Sequence, residues 1–144
     1  MTFEWENGTI LKKINTSDKS VQMSYDSNGM RTQKSVDGVK TNYYYDSNKN
    51  LIALVKGNDT LLFYYDSDGS ATPFFSYNGT MYFYVKNLQG DVIIIIDLAS
   101  TEVASYVYDA WGNIKDTKGE PTIRELNPIR YRGYVYDTET DLYY

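Results

Sequence analysis

Short runs rich in Tyr, Phe, Val, Ile and Thr alternate along this chain with clusters of Asp, Asn, Ser and Gly. Runs of this kind predict strands over 9–15, 20–25, 30–36, 39–45, 51–56, 60–65, 70–77, 80–85, 92–97 and 103–108, with an open first strand near Thr2 to Trp5. No helix is predicted anywhere. If Asp37-Gly38 closes a two-residue turn, Val36 faces Val39, Lys34 faces Thr41, Thr32 faces Tyr43 and Met30 faces Tyr45. Ser35 then meets Lys40, Gln33 meets Asn42 and Arg31 meets Tyr44 on the opposite, polar face. This hairpin reads as half-buried. The runs 60–65, 80–85 and 92–97 are apolar on both faces, so cover on both sides or self-association is expected of them.

The turns keep a period. Trp5, Tyr25, Tyr45 and Tyr65 stand at equal intervals, and each is followed by an acid: Glu6, Asp26, Asp46 and Asp66. Tyr108-Asp109 follows after a slip. The interval, about twenty residues, suits one hairpin with its connecting turn and is too short for a helical pair. Turn residues follow each acid: Ser27-Asn28-Gly29, Ser47-Asn48-Lys49-Asn50 and Ser67-Asp68-Gly69, which predicts Asx-type turns led by the aspartates. Halfway between lie tighter signals, Asp37-Gly38, Gly57-Asn58-Asp59 and Asn78-Gly79. Two kinds of turn therefore alternate, and the fold class predicted is all-β, built of consecutive antiparallel hairpins.

Composition changes this picture little. The 144 residues include 16 Tyr and neither His nor Cys. Tyrosine suits a repetitive sheet, because its ring stacks on the neighbouring repeat while its hydroxyl finds a partner at the edge. The net charge of −5 argues against nucleic acid as a partner. Arg130 and Arg132 beside Tyr131 are the nearest basic patch, and read as strand residues on a wetter face. The lack of Cys is compatible with either redox compartment. No apolar run approaches the roughly 18 residues of a membrane span, and the start carries no signal-peptide pattern.

Candidate chemistry is thin. Without His or Cys the common nucleophile and base pairs cannot be built, and zinc would have only carboxylates. The acids sit in or beside turns with no cue for a raised pKa, which speaks against glycosidase or aspartic protease chemistry. Asp66-Ser67-Asp68-Gly69 is the closest approach to a calcium loop, but Ser70-Ala71-Thr72-Pro73-Phe74 follows where further ligands would be needed. The Asn-x-Ser/Thr sites at Asn7, Asn15, Asn58 and Asn78 are read as turn residues in the main. No enzyme activity, cofactor or metal is expected.

The ordered motifs resemble the YD-repeat, or Rhs, proteins of bacteria, whose animal relatives are the teneurins. The repeat pattern is clearest at Tyr25-Asp26-Ser27-Asn28-Gly29-Met30-Arg31. More specific is Val85-Lys86-Asn87-Leu88-Gln89-Gly90-Asp91-Val92, leading to Tyr108-Asp109-Ala110-Trp111-Gly112-Asn113-Ile114. Most specific is Asn127-Pro128-Ile129-Arg130-Tyr131-Arg132-Gly133-Tyr134 with Tyr136-Asp137-Thr138-Glu139-Thr140, Leu142, Tyr143 and Tyr144, which resembles the start of the Rhs-associated core signature. Two departures are local: Leu98-Ala99-Ser100-Thr101 lacks the usual turn glycine, and Asp141 stands where glycine is common. The third is that the chain stops at Tyr144, where the family continues to a self-cleavage region and a variable toxin.

The resemblance implies a curved, spiralling open sheet that is a segment of a β-shell enclosing a C-terminal toxin, with 1–116 as YD-repeat hairpins and 117–144 as the start of the core signature. About twelve strands at ~4.8 Å spacing make only ~55–60 Å of sheet, a wall segment rather than a sealed chamber. Tyr25, Tyr45, Tyr65, Tyr108 and Tyr136 are expected to form a ladder, with Asp26, Asp46, Asp66, Asp109 and Asp137 fixing turns, and Trp5 stands one interval upstream in the repeat-defining set. Gly29, Gly69, Trp111, Gly112, Pro128, Arg130, Tyr131, Arg132 and Gly133 complete the repeat-defining set. Implied partners are the remainder of the shell, the C-terminal toxin and further copies through the sheet edges. The implied location of the parent protein is secreted or at the cell surface. A second reading stays open: Tyr77-Asn78-Gly79-Thr80-Met81-Tyr82-Phe83-Tyr84 is similar to the aromatic hairpin repeats that bind choline or glucan on cell walls. There a Gly-Trp phase is usual, whereas Tyr-Asp holds the phase here.

Overall fold

The computed structural model describes residues 1–69 and 72–144. The start of the strand predicted over 70–77 lies outside the described residues. Among the described residues twelve strands follow one another: β1 (Thr2–Glu6), β2 (Ile10–Asn15), β3 (Ser20–Tyr25), β4 (Arg31–Val36), β5 (Val39–Tyr45), β6 (Leu51–Lys56), β7 (Asp59–Tyr64), β8 (Phe74–Tyr77), β9 (Thr80–Lys86), β10 (Val92–Ile96), β11 (Glu102–Tyr108) and β12 (Ile114–Gly119). Their order in the sheet is their order in the chain, each strand pairing with its neighbours in sequence. The sheet is antiparallel, open and not closed into a barrel. A small second sheet pairs β13 (Tyr136–Asp137) with β14 (Leu142–Tyr143). By compactness the chain forms two units, Met1–Leu62 and Phe63–Tyr144.

The expected pairing across Asp37-Gly38 is found, with Val36 opposite Val39, Ser35 opposite Lys40, Lys34 opposite Thr41 and Gln33 opposite Asn42. Asp37 and Gly38 both take positive φ, 49° and 89°, as a two-residue turn that matches strand twist requires. Beyond Gln33 the register prediction fails. Tyr25 pairs with Arg31 while Ser24 pairs with Gln33, so Thr32 is an inserted residue and the strand bulges there. The bulge turns Arg31 onto the same face as Lys34, and Arg31, expected on the polar face, is 1% exposed. Its guanidinium lies 4.7 Å over the Tyr43 ring and Nη2 donates to the Tyr43 hydroxyl at 3.3 Å.

The bulge recurs. Glu4 and Trp5 pair with Lys13 and Leu11, skipping Lys12, and Tyr44 and Tyr45 pair with Ala53 and Leu51, skipping Ile52. In the second unit Val107 and Tyr108 pair with Asp116 and Ile114, skipping Lys115. In β4, β6 and β12 the inserted residue is the second of its strand.

In the first unit Ile14, Val21 and Met23 form a buried cluster with Leu11, Tyr25 and Val36 against it. Tyr43, Leu54 and Leu61 extend the same buried face along later strands. A fully buried side chain of this size contributes about 1.5–3 kcal/mol. In the second unit Phe75 is wholly buried and stacks on Tyr84 at 5.0 Å and on Tyr82 at 5.5 Å. Of the cover or self-association expected of β7, cover is not seen on its outer face, where Leu62 and Tyr64 are 40% and 39% exposed. One expectation is corrected: a helix is present, α1 (Pro121–Leu126), followed by a 3₁₀ turn at Tyr131–Gly133. Pro121 at its first turn and the Glu120 carboxylate, which accepts from the amides of Thr122 and Ile123, start that helix without any long helical period.

Candidate functional site

The repeat-defining residues do two mechanical jobs. Aspartates make the turns. The Asp26 Oδ1 accepts the amides of Asn28 (2.8 Å) and Met30 (3.0 Å), and Asp46 does the same for Asn48 (2.8 Å) and Asn50 (2.9 Å). Asp109 accepts from Trp111 and Asn113, both at 2.9 Å. The residue three after each leader takes positive φ: Gly29 78°, Lys49 66° and Gly112 88°. Sequence reading missed two members of this set. Asp97 binds the amides of Ala99 and Thr101, with Ser100 at φ 62° in place of the missing glycine, and Asn87 binds those of Gln89 and Asp91. The signal available was the carbonyl-bearing side chain three residues before a small or turn-tolerant one. At Asp66 the Gly69 amide donates to the Asp66 carbonyl at 3.0 Å. Accepted amides hold Asp46 and Asp109 below the usual carboxylate range, through Asn50 first in one case and the Asn113 side chain first in the other.

Tyrosines close the sheet beyond the bulges. Strands β4 and β5 pair only as far as Gln33 and Asn42, and beyond that point the Tyr45 hydroxyl donates to the Arg31 carbonyl at 2.8 Å. Tyr25 donates to the Leu11 carbonyl at 2.8 Å, and Tyr108 to that of Val92 at 2.6 Å. Tyr65 is half-buried just past the end of β7. Trp5, at the same position of the period, is 56% exposed on the edge strand.

The C-terminal segment forms a clasp over β9, β10 and β11. Asn127 is wholly buried: Oδ1 accepts the Tyr84 hydroxyl at 2.6 Å, while Nδ2 donates to the Ile129 carbonyl at 2.8 Å and to the Tyr106 hydroxyl at 3.4 Å. Pro128 is buried beside it, and its carbonyl accepts the Tyr136 amide at 2.8 Å. Arg130 lies on no wet strand face; it is 3% exposed, with its guanidinium between the rings of Tyr106 (4.7 Å) and Tyr136 (4.6 Å). The flat guanidinium presents its faces to rings while its edge donates to the carbonyls of Asn127 (3.2 Å) and Arg124 (2.9 Å). Asp91, 3% exposed, accepts the Arg132 amide at 2.9 Å and the Asn87 side chain at 2.8 Å. Tyr131 packs against Gly112, where a Cβ would meet its ring at 2.5 Å. The Arg132 side chain lies over Tyr131, and Gly133 at φ 76° ends the 3₁₀ turn.

Tyr136 departs from Tyr25, Tyr45 and Tyr108. Its hydroxyl donates to Asp141 at 2.6 Å rather than to a backbone carbonyl, and Asp141 adopts φ 57° where glycine is common. The Asp137 carbonyl accepts the amides of Thr140 and Asp141. Burial raises the phenols of the clasp, Tyr84, Tyr106, Tyr108 and Tyr136, and pushes Tyr143 up to about 12. Arg130's charge opposes that rise in each. Among the described residues no group of three or more Asp or Glu is placed to hold a metal ion. No helix among them is long and apolar enough to cross a membrane.

Hairpins with aspartate-led turns and tyrosine-closed bulges, in an open antiparallel sheet, give this chain the fold of the Rhs-type YD-repeat shell proteins. No protein-family model matches it. It is similar to the tRNA(Glu)-specific nuclease WapA of Bacillus subtilis subsp. natto, at 42% identity over 99% of this chain, and to the tRNA nuclease WapA of Bacillus subtilis strain 168 at 38% over the same share. The chain spans 6% of the length of each of those relatives. Among solved structures it resembles TcdB2-TccC3-Cdc42, with a TM-score of 0.72 and 15% identity over 99% of this chain and 8% of that one. It also resembles TcdB2-TccC3 without its hypervariable C-terminal region, with a TM-score of 0.67 and 15% identity over the same shares.

Proposed function

We propose that this chain is a non-catalytic wall segment of a toxin-enclosing β-shell in a secreted or surface-borne Rhs-like protein, with 1–116 as repeat wall and 117–144 as the start of its closing core. The observation that carries this reading is the unfinished ladder at β1. Phe3 pairs with buried Ile14, so it belongs to the core-facing side of the sheet, yet Phe3 and Trp5 are 45% and 56% exposed. Trp5 also holds the position at which Tyr25 and Tyr45 each reach back to the preceding hairpin. A preceding hairpin of the same kind would cover that face and accept the indole N–H. The nuclease activity named in the relatives belongs, on this reading, to regions outside the 6% of their length that this chain matches. The partners are then the remainder of the shell and the enclosed toxin, and the uncovered edge pairs with another copy when the chain is alone.

The test is to join one preceding repeat hairpin to the chain in a Trp111→Phe background, so that Trp5 alone reports. Its emission is expected to shift to the blue and its quenching by acrylamide to fall. Unchanged emission and quenching would refute the wall reading. Cleavage of tRNA by the purified chain would refute the non-catalytic part separately.

A further inference from the structure

We infer that the guanidinium of Arg130 forms the floor of a carboxylate-binding pocket. Arg130 is a cation 3% exposed, and among the described residues no carboxylate lies within ion-pair distance of it. Its Nε and Nη2 are committed to the carbonyls of Asn127 and Arg124, and its two faces to Tyr106 and Tyr136. Carbonyls and rings orient a cation but leave its full charge in place, and buried charges are ordinarily paired with an ion of opposite sign. Apart from those carbonyls and the Tyr106 hydroxyl, the guanidinium has no further hydrogen-bond partner among the described residues.

Arg130 borders a cavity of about 300 Å³, open to the surface and lined also by Arg124, Glu125, Tyr136, Thr138 and Asp141. The two acids do not neutralise Arg130. Glu125 pairs with Arg124 at 3.2 Å, and Asp141 accepts the Tyr136 hydroxyl. A planar carboxylate matches the planar donor edge of a guanidinium, and Thr138 supplies a hydroxyl at the wall. The volume fits an acidic side chain or a small organic acid and excludes a large ligand. The shared chemistry is one carboxylate, delivered either by a polypeptide segment or by a free acid.

The experiment follows the Arg130 Nε–H resonance of the full 144-residue chain while acetate, acetyl-Gly-Asp-Gly-amide or its Asn counterpart is added. A shift with the Asp peptide and with acetate, absent with the Asn peptide, is the expected result. A saturable shift with the Asp peptide alone assigns the pocket to a polypeptide side chain, and with acetate alone to a small acid. No shift with any carboxylate, or equal shifts from the Asp and Asn peptides, overturns the proposal. Replacing Arg130 risks the fold, so the companion variant is Asp141→Asn, which suits its positive φ and removes a rim charge. It should tighten the binding about two- to fivefold. Weaker binding in this variant would also count against the site.

Discussion

The Tyr45 hydroxyl donates to the main-chain carbonyl of Arg31 at 2.8 Å, one hairpin upstream, just where strands β4 and β5 stop pairing. The bond explains why a phenol rather than a phenyl ring sits at this position of the period. The bulge at Thr32 falls where β4 and β5 stop pairing, and the Tyr45 side chain bridges the gap. Tyr45→Phe keeps the ring and removes the bond. It should lower stability by about 0.5–1.5 kcal/mol, seen as a lower midpoint in urea with an unchanged slope. An unaltered midpoint would show that the hydroxyl contributes nothing.

The aspartate-led turns are a second test of the same architecture. Asp26→Ala removes the acceptor of two amides, at Asn28 and Met30, and should cost about 0.5–2 kcal/mol. Asp26→Asn retains an Oδ1 acceptor and should recover most of the loss. Thermal unfolding of the pair separates the acceptor role from the charge, since equal losses would make the charge responsible.

Glycine at 119 meets a backbone limit rather than a side-chain one. Its φ is 109°, and a Cβ there would be driven into the carbonyl of Val103 on the adjacent strand. Backbone cannot rotate away as a ring can, so Gly119→Ala should cost about 1–3 kcal/mol. At Gly112 the obstacle is the Tyr131 ring, so Gly112→Ala should instead loosen the clasp. Hydrogen exchange is expected to rise at the Arg132 amide, which binds Asp91. If protection there is retained, the clasp does not depend on that contact.

How much of this was legible depended on whether the controlling force was local. The turn at Asp37-Gly38 and the register from Val36 to Gln33 follow from residues adjacent in sequence. The bulge at Thr32 does not. Arg31 looks polar and wet in a strict alternation, and only the inserted residue turns it inward against Tyr43. Arg130 repeats the lesson at longer range, because Tyr106, one of the two rings that hold its guanidinium, lies far upstream on β11. Helix α1 escaped notice because its signal is a cap and a proline, not a period. The core-signature motif was recognisable as a pattern, while its buried network through Asn127 needed the fold.

Acid should weaken the turns selectively. Asp46, Asp109 and Glu120 are held below their ordinary values by the amides they accept. A carboxylate depressed in the folded state contributes stability that is complete above its unfolded pKa, roughly 4, and is lost as pH falls through the folded value. The melting temperature should therefore be level from neutral pH to about 5 and decline below about 4. Asp109→Asn should flatten part of that decline. A decline of unchanged steepness in the variant would assign the acid sensitivity elsewhere.

At the alkaline end the sign reverses. Burial raises Tyr84, Tyr106, Tyr108 and Tyr136 in the folded chain and sets Tyr143 at about 12. A phenol raised in the folded state stabilises the fold below its unfolded pKa, about 10, and that contribution disappears as pH climbs from there toward the folded value. The clasp set should thus ionise above the ordinary phenol range and only as the fold gives way, as a late step in phenolate absorbance. Tyr143→Phe removes a titrating group whose hydroxyl donates to the Gly112 carbonyl at 2.9 Å. It should therefore lower stability at neutral pH and leave a smaller late absorbance step. If all sixteen tyrosines titrate together near pH 10 while circular dichroism remains native, the buried clasp does not exist in solution.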